Sequence, residues 1–340
     1  MKRTLWLTAL TLITCISTCA QPATSTNPPP PDTSPHKVQF ITVDKDIKLE
    51  VLDWGGTGRP LIFLPGLGFD AHVFDTFAPR FVPAYHVYGI TRRGYGASSA
   101  PPPDDSNYSA DRLGDDVLAV IDALNIQRPV LIGHSIAGEE LSSVGTRHPE
   151  KVSALIYLDA GYAYAYYDDH TAEGVTAIDA VLVRRELTKL LTPPSPTAER
   201  KVIVNHMLDV SLPRLQKDLE TQRKNLASMP DNDPGPPDIP QVRIGAAIMR
   251  GVQAYSGVKV PVLAIFAVPH AMHPQPGDDE AKQKARIAED LARTGAQVDA
   301  FQAGNPQAHL VRLPNAEHFV FRSNEADVQR EMNTFLSSLP

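Results

Sequence analysis

The run Pro129-Val130-Leu131-Ile132-Gly133-His134-Ser135-Ile136-Ala137-Gly138, continued by Glu139-Glu140-Leu141-Ser142-Ser143-Val144, constrains this chain more than any other stretch. Its apolar opening is unbroken by a polar residue and reads as a buried strand, and a helical pattern begins within two residues of Ser135. A strand and a helix joined so closely need a very tight turn. The small residues Gly133, Ala137 and Gly138 leave room for that turn and let the helix pack closely beneath it. A turn of this kind, an elbow, holds a serine hydroxyl exposed at the carboxyl end of a central strand. The commoner form is Gly-x-Ser-x-Gly; here the last glycine is preceded by alanine, the next smallest residue.

With 340 residues, of which 42% are hydrophobic and 21% charged, the chain is long enough for one large domain carrying an insertion. The formal charge is -7, and loss of a leader containing Lys2 and Arg3 and no acidic residue takes it to -9. That balance gives no reason to expect a nucleic-acid partner. Residues 1–20 read as an export signal, with Met1-Lys2-Arg3 as the positive end, Leu5 to Ile16 as the apolar run and Thr18-Cys19-Ala20 as a small-residue cleavage site. The apolar run is too short to span a bilayer comfortably. Ile16-Ser17-Thr18-Cys19 also resembles a bacterial lipobox, so lipidation at Cys19 is the alternative to cleavage after Ala20. Both cysteines, Cys15 and Cys19, lie in the leader, which leaves an exported, periplasmic or secreted, mature chain without internal disulfides. Residues 21–36 are rich in proline, serine and threonine and read as an extended tether.

From Val38 the pattern changes to strands at Val38 to Val43, Ile47 to Leu52 and Pro60 to Leu64, the last running into Pro65-Gly66-Leu67-Gly68-Phe69-Asp70. Helix at Ala71 to Phe81, strand at His86 to Ile90 and helix at Asp111 to Leu124 follow, before the Pro129 strand. Such alternation predicts an α/β fold with a mostly parallel, doubly wound sheet, whose sites form at the carboxyl edges of its strands.

Three motifs in this order carry a family resemblance. They are Thr91-Arg92-Arg93-Gly94-Tyr95-Gly96-Ala97-Ser98 after a strand, the Gly133-to-Gly138 turn, and Leu313-Pro314-Asn315-Ala316-Glu317-His318-Phe319-Val320 near the C-terminus. Together with the glycine loop they resemble the α/β-hydrolase superfamily over roughly residues 38 to 162 and 257 to 340. The division that follows is a core over 37–162, an inserted helical cap over 163–256 and a second part of the core over 257–340. The resemblance implies a fold and a catalytic apparatus, and no substrate.

A serine hydroxyl is a weak nucleophile unless an imidazole takes its proton. His318 is the candidate, in the loop between a strand at His309 to Leu313 and the last helix, Glu325 to Leu336, where the superfamily places its histidine. His134, beside the serine, is expected to pack or hydrogen-bond. Two backbone amides, of Ile136 and of Leu67, would bind the developing oxyanion. Pro65 stands where the commoner loop has histidine, so the bracing of that loop must come from elsewhere, while the backbone donor is retained. Most of the superfamily takes its acid from the loop after the strand at Val260 to Phe266, but Ala267-Val268-Pro269-His270-Ala271-Met272-His273 contains no carboxylate and puts His270 at that position. A subset similar to certain dehalogenases and lactonases uses a carboxylate after the strand that follows the elbow helix. Here that residue is Asp159, in Leu155-Ile156-Tyr157-Leu158-Asp159-Ala160-Gly161, and Asp278 or Asp279 is the alternative.

Between 163 and 256 the alternation lapses into helical patterns at Ala177 to Leu191, Ala198 to Val210, Leu212 to Ser228 and Val242 to Ala254. Tyr162 and Tyr164 at the entrance of this insertion, with Gly66, are the candidates for a substrate pocket, or the tyrosines pack cap against core. His270 and His273 are flanked by Pro269 and Pro274, which rule out a helix that would align the pair, so no metal is expected, nor any cofactor. The reading is a serine hydrolase acting on carboxylic esters or lactones through an acyl-enzyme. An aminopeptidase, a carbon-carbon bond hydrolase and a binding protein on a hydrolase scaffold are the alternatives. A serine in place of aspartate at the elbow argues against dehalogenase or epoxide hydrolase chemistry, which needs a carboxylate nucleophile.

Overall fold

The computed structural model describes residues 35–167, 178–253, 255–274 and 278–340. The predicted leader with Cys15 and Cys19, and nearly all of the proline-rich tether, lie outside the described residues. Among the described residues eight strands form one sheet, in the order β1-β2-β4-β3-β5-β6-β7-β8. β1 (Lys37–Asp44) pairs antiparallel with β2 (Ile47–Gly55), and β2 antiparallel with β4 (His86–Ile90). From β4 onward the pairing is parallel, through β3 (Pro60–Leu64), β5 (Val130–His134), β6 (Ala154–Leu158), β7 (Val262–Ala267) and β8 (His309–Leu313).

Side-chain alternation along the central strands builds a core on each face of the sheet. Leu61 and Phe63 of β3, Val130 and Ile132 of β5 and Leu263 and Ile265 of β7 pack with Phe74, Phe77, Phe321 and Met332 on one side. Ile62, Leu64, Leu131, Tyr157 and Phe266 pack with Val117, Ile121, Leu141 and Phe301 on the other. Helix α1 (Ala110–Ala123) supplies Val117 and Ile121, a spacing that puts both on one helical face, and Ser109 caps it by accepting from the Arg112 amide at 3.3 Å. Helix α2 (Gly138–Arg147) follows β5 through a single tight turn.

The predicted helix over 71–81 is instead two short 3₁₀ turns, Ala71–Phe74 and Ala78–Phe81. Pro79 is the reason: it has no amide hydrogen for an internal helical bond, and it is tolerated only because it stands in the first turn of the second segment. In the insertion lie α3 (Val181–Leu191), α4 (Thr197–His206), a π-helical turn at Met207–Ser211, α5 (Leu212–Ala227) and α6 (Pro240–Gly251). Val181, Leu182, Ile244, Ala247 and Ile248 from these helices form one apolar cluster with Tyr95, Tyr108 and Ile136. The layer therefore rests on the residue that follows Ser135. The longest helix among the described residues, α7 (Glu280–Gly304), has too few apolar residues to announce itself by periodicity; it buries Asp290, Thr294, Val298 and Phe301 on one face. The chain ends in α8 (Glu325–Ser338).

The Arg93 guanidinium makes two 2.6 Å bonds to Asp116 of α1, with side-chain exposures of 0% and 3%. Removing one partner of a buried ion pair strands the other charge, at a cost of about 3–5 kcal/mol. Asp116→Ala is therefore expected to lower unfolding free energy by about that amount in urea titrations, and a loss below 1 kcal/mol would show that Arg93 finds another partner.

Candidate active site

The carboxyl edge of the sheet gathers the predicted residues by register alone. His134 of β5 lies opposite Leu158 of β6, so Ser135 and Asp159 leave adjacent parallel strands at the same level. Both residues then turn out of the strand with left-handed backbone, φ +54° at Ser135 and +48° at Asp159. That conformation costs a non-glycine residue about 1–2 kcal/mol and persists only where surrounding packing imposes it. Gly138 shows the packing: a β-carbon there would meet the Ala160 carbonyl oxygen at 2.0 Å, so the chain leaving Asp159 runs directly against the start of α2.

His318 arrives from the loop after β8 and joins the two. Its Nε2 lies 2.8 Å from Ser135 Oγ, and its Nδ1 lies 2.6 Å from Asp159 Oδ2. An ionised carboxylate only accepts, so Nδ1 carries the hydrogen and Nε2 is left to accept from the serine hydroxyl. The His318 side chain is 42% exposed, which opens the pair to solvent on the histidine side.

Asp159 is fully buried, and all its acceptor positions are used. Oδ1 accepts from the Ala267 amide at 2.9 Å and from the Tyr162 hydroxyl. Oδ2 accepts from His318 and, at 2.9 Å, from Nε2 of His270. Burial opposes its charge, yet the hydrogen bonds from His270 and His318 hold the carboxyl well below the usual carboxylate range.

His270 occupies the position where sequence comparison with the superfamily expected an acid. Its other ring nitrogen faces Asp290 of α7 at 3.1 Å, and its backbone amide donates to the same carboxylate at 2.8 Å. With a carboxylate at each nitrogen, the ring must donate twice and is an imidazolium. Burial works against that charge, but the hydrogen bonds to Asp159 and Asp290 outweigh it and raise the ring to about 10. Asp290 is lowered, against the effect of burial, by the hydrogen bond from His270. Asp290 has no counterpart in the sequence reading. Its only signal was a place on the buried face of a helix whose polar sequence concealed it.

Asp278 and Asp279 are elsewhere: Asp278 pairs with Arg286, and Asp279 caps α7 by accepting from the Lys282 amide at 2.9 Å. His273 is 80% exposed and faces Glu317 at 3.5 Å, while His270 turns inward, so the two do not converge. Asp159, His270 and His318 bring their ligand atoms together, but those atoms are already committed to one another by hydrogen bonds. His134 donates from Nε2 to the His318 carbonyl at 3.0 Å, and burial, then the neighbouring His318, pushes its ring down to about 3, so it braces the histidine loop as a neutral ring.

Gly66 abuts the serine: a β-carbon there would stand 3.2 Å from Ser135 Cβ and 2.9 Å from His134 Nδ1. Leu67 follows it, half-buried against the cluster that contains Ile136. The Tyr162 hydroxyl, a pocket candidate, is given to Asp159 instead of to open space. Tyr164 packs against the cluster that contains Ile136, and burial, then the Asp159 charge, keeps its proton on. The constellation can move a proton from a hydroxyl to an imidazole whose positive form is already provided with a carboxylate.

Fold and edge geometry together define a hydrolase-like site on a doubly wound sheet. The family model described as alpha/beta hydrolase fold matches residues 59–231, and the chain belongs to that family. Among curated relatives it is similar to fluoroacetate dehalogenase of a Burkholderia species, 32% identical over 117 residues, covering 34% of this chain and 38% of that protein. It is also similar to 3-oxoadipate enol-lactonase 2 of Acinetobacter baylyi, 32% identical over 113 residues, covering 33% of this chain and 41% of that protein. The matched stretch thus spans about two fifths of the length of these relatives. Among solved structures, that of E-2-(acetamidomethylene)succinate hydrolase superposes with a TM-score of 0.54 at 18% identity, covering 89% of this chain and all of that one, a likeness of fold.

The His270 ring ties stability to pH. Its folded value near 10 exceeds the ordinary 6.5, so its contribution is full below about 6.5 and is lost as pH climbs through about 10. Asp159 and Asp290, held low, act oppositely: their contribution is present above the ordinary carboxylate value of 3.8 and is lost as pH falls below it. The melting temperature is expected to decline between pH 6.5 and 10, and His270→Gln to flatten that decline. Equal slopes for the two proteins in calorimetry across this range would contradict the imidazolium assignment.

Proposed function

We propose that this chain is a serine hydrolase that cleaves carboxylic esters or lactones of small to medium size through an acyl-enzyme. Ser135 attacks the carbonyl carbon as His318 Nε2 takes its proton; Asp159 stabilises the imidazolium; the Leu67 and Ile136 amides receive the oxyanion. His318 then protonates the leaving alkoxide; a water, deprotonated in turn by His318, attacks the acyl carbonyl, and the acyl–Oγ bond breaks as His318 returns the proton to Ser135 and the acid leaves. The single observation that carries this reading is the continuous relay of 2.8 Å from Ser135 to His318 and 2.6 Å from His318 to Asp159.

A serine at the elbow favours acyl transfer over the alkyl-enzyme chemistry of dehalogenases, which needs a carboxylate nucleophile. The similarity to an enol-lactonase supports the lactone limb of the proposal. In the same reading the helices of the insertion, seated on Ile136, form a cap over the serine, residues 1–20 direct export with Cys19 as the alternative lipid-bearing residue, and residues 21–36 tether the enzyme.

Two measurements test it. A fluorophosphonate probe is expected to label the protein, and Ser135→Ala to abolish both labelling and aryl acetate hydrolysis; labelling of Ser135→Ala at the wild-type rate would sink the assignment and leave a binding protein on this scaffold. Asp159→Asn is expected to lower kcat by about 10⁴-fold, since the amide would orient the wrong tautomer. Near-normal turnover in that variant would overturn the assignment of Asp159 as the acid.

A further inference from the structure

We infer that Arg92 is a positioning residue for oxyanion binding: clamped by Glu140, its guanidinium fixes the peptide planes of the Pro65-Gly66-Leu67 loop so that the Leu67 amide is presented on the serine side. This rests on the reading of Ser135 as the nucleophile.

Arg92 and Glu140 are both buried. The guanidinium spends Nε and Nη2 on the two Glu140 oxygens, at 2.6 and 2.7 Å, in a bidentate fork that fixes the plane of the group. From that plane Nη2 donates to the Pro65 carbonyl at 2.9 Å and Nη1 to the Gly66 carbonyl at 3.4 Å. The Gly66 oxygen also accepts from the Phe69 amide at 3.3 Å. In a trans peptide the carbonyl of one residue and the amide hydrogen of the next point in opposite directions. Holding the Gly66 carbonyl toward Arg92 therefore aims the Leu67 N–H away from Arg92. A β-carbon on Gly66 would stand 3.2 Å from Ser135 Cβ, so the loop that carries the Leu67 amide lies directly against the serine, where an oxyanion formed on the serine adduct needs a donor.

The anchor of the clamp is equally informative. Glu140 stands in the first turn of α2, the helix that begins at the serine turn, so Arg92 ties the loop after β3 to the same element that positions Ser135. The family pattern puts a histidine where this chain has Pro65, and the Arg92 contacts supply the bracing that this substitution removes. A buried ion pair adds little net stability relative to a well-packed apolar replacement. Its value here lies in directing two carbonyls at once. A lysine keeps the charge but cannot hold a carboxylate bidentately and two carbonyls in one plane.

The test uses the full chain and an aryl ester. Arg92→Lys and Arg92→Met are expected to lower kcat by about 10²- to 10³-fold, the usual effect of losing one oxyanion donor, with KM changed less than about threefold. Affinity for an aryl trifluoromethyl ketone, which forms a tetrahedral adduct on Ser135, should fall in parallel with kcat. Affinity for the corresponding unreactive ether should stay unchanged, and so should the pH profile, because the imidazole relay is untouched. Glu140→Gln, which keeps Arg92 and one of its anchoring bonds, guards against a fold lost in the arginine variants and is expected to show the same split at about tenfold in kcat. If folded Arg92→Lys retains wild-type kcat, or if ketone and ether affinities fall together, Arg92 is a structural residue and the inference fails. If Ser135→Ala remains active, the underlying reading fails instead.

Discussion

Asp159 is a charge placed where water cannot reach it, and the site is arranged around meeting its needs. An unpaired buried carboxylate would abandon its charge. Here the Tyr162 hydroxyl, the Ala267 amide and the rings of His318 and His270 each supply a hydrogen. These donors come from the segment after β6, from the end of β7 and from the loops after β7 and β8, so the carboxylate acts as the common acceptor that draws the carboxyl edge of the sheet together. Its second histidine changes its character. His270 is itself shared with Asp290, so two carboxylates and one imidazolium stand behind the imidazole that faces the serine. The carboxylate oxygens of Asp159 and both ring nitrogens of His270 are thereby engaged, and His318 Nε2 is the atom that faces Ser135.

The sheet makes this convergence possible. Parallel strands in register release their following residues at one level, and the left-handed turns at Ser135 and Asp159 redirect both side chains out of the strand direction. Tight packing between Gly138 and Ala160 holds the two turns against each other. On the other flank of the serine the loop after β3 has its own fastening in Arg92 and Glu140, which converts a charge pair buried in the core into a constraint on peptide orientation. The serine turn, the acid turn and the loop after β3 are thus all fastened at the start of α2, the first two through Gly138 and the third through Glu140.

Much of this was legible in the chain. The Pro129-to-Val144 run specified strand, turn and helix because a turn that tight tolerates few residue types, and the order of motifs specified the architecture. Ser135 and His318 could be selected from the motifs that carry them, and Asp159 because resemblance to a subset of hydrolases puts the acid after β6 when the loop at Ala267 to His273 lacks a carboxylate, with Asp278 or Asp279 left open. The helix expected over 71–81 failed on Pro79, whose missing amide hydrogen outweighed an apolar pattern. The helix over 280–304 was invisible for the opposite reason. Its alanines, lysines and glutamates favour helix without marking a face, so neither α7 nor the burial of Asp290 upon it could be read.

What the amino-acid order settled by itself was local: which residues can occupy a strained turn, where strands and most helices run, and which side chains have the chemistry of acid, base and nucleophile. Those properties depend on neighbours in the chain, where sterics and hydrogen-bonding capacity act over a few residues. Tertiary structure alone decided which groups share a proton and which share a charge. His270 became an imidazolium, Tyr162 a donor to the buried acid and Arg92 a clamp on a distant loop only because segments far apart in the chain were packed within hydrogen-bond reach, in an interior where electrostatic interactions are strong and unmet polar groups are costly.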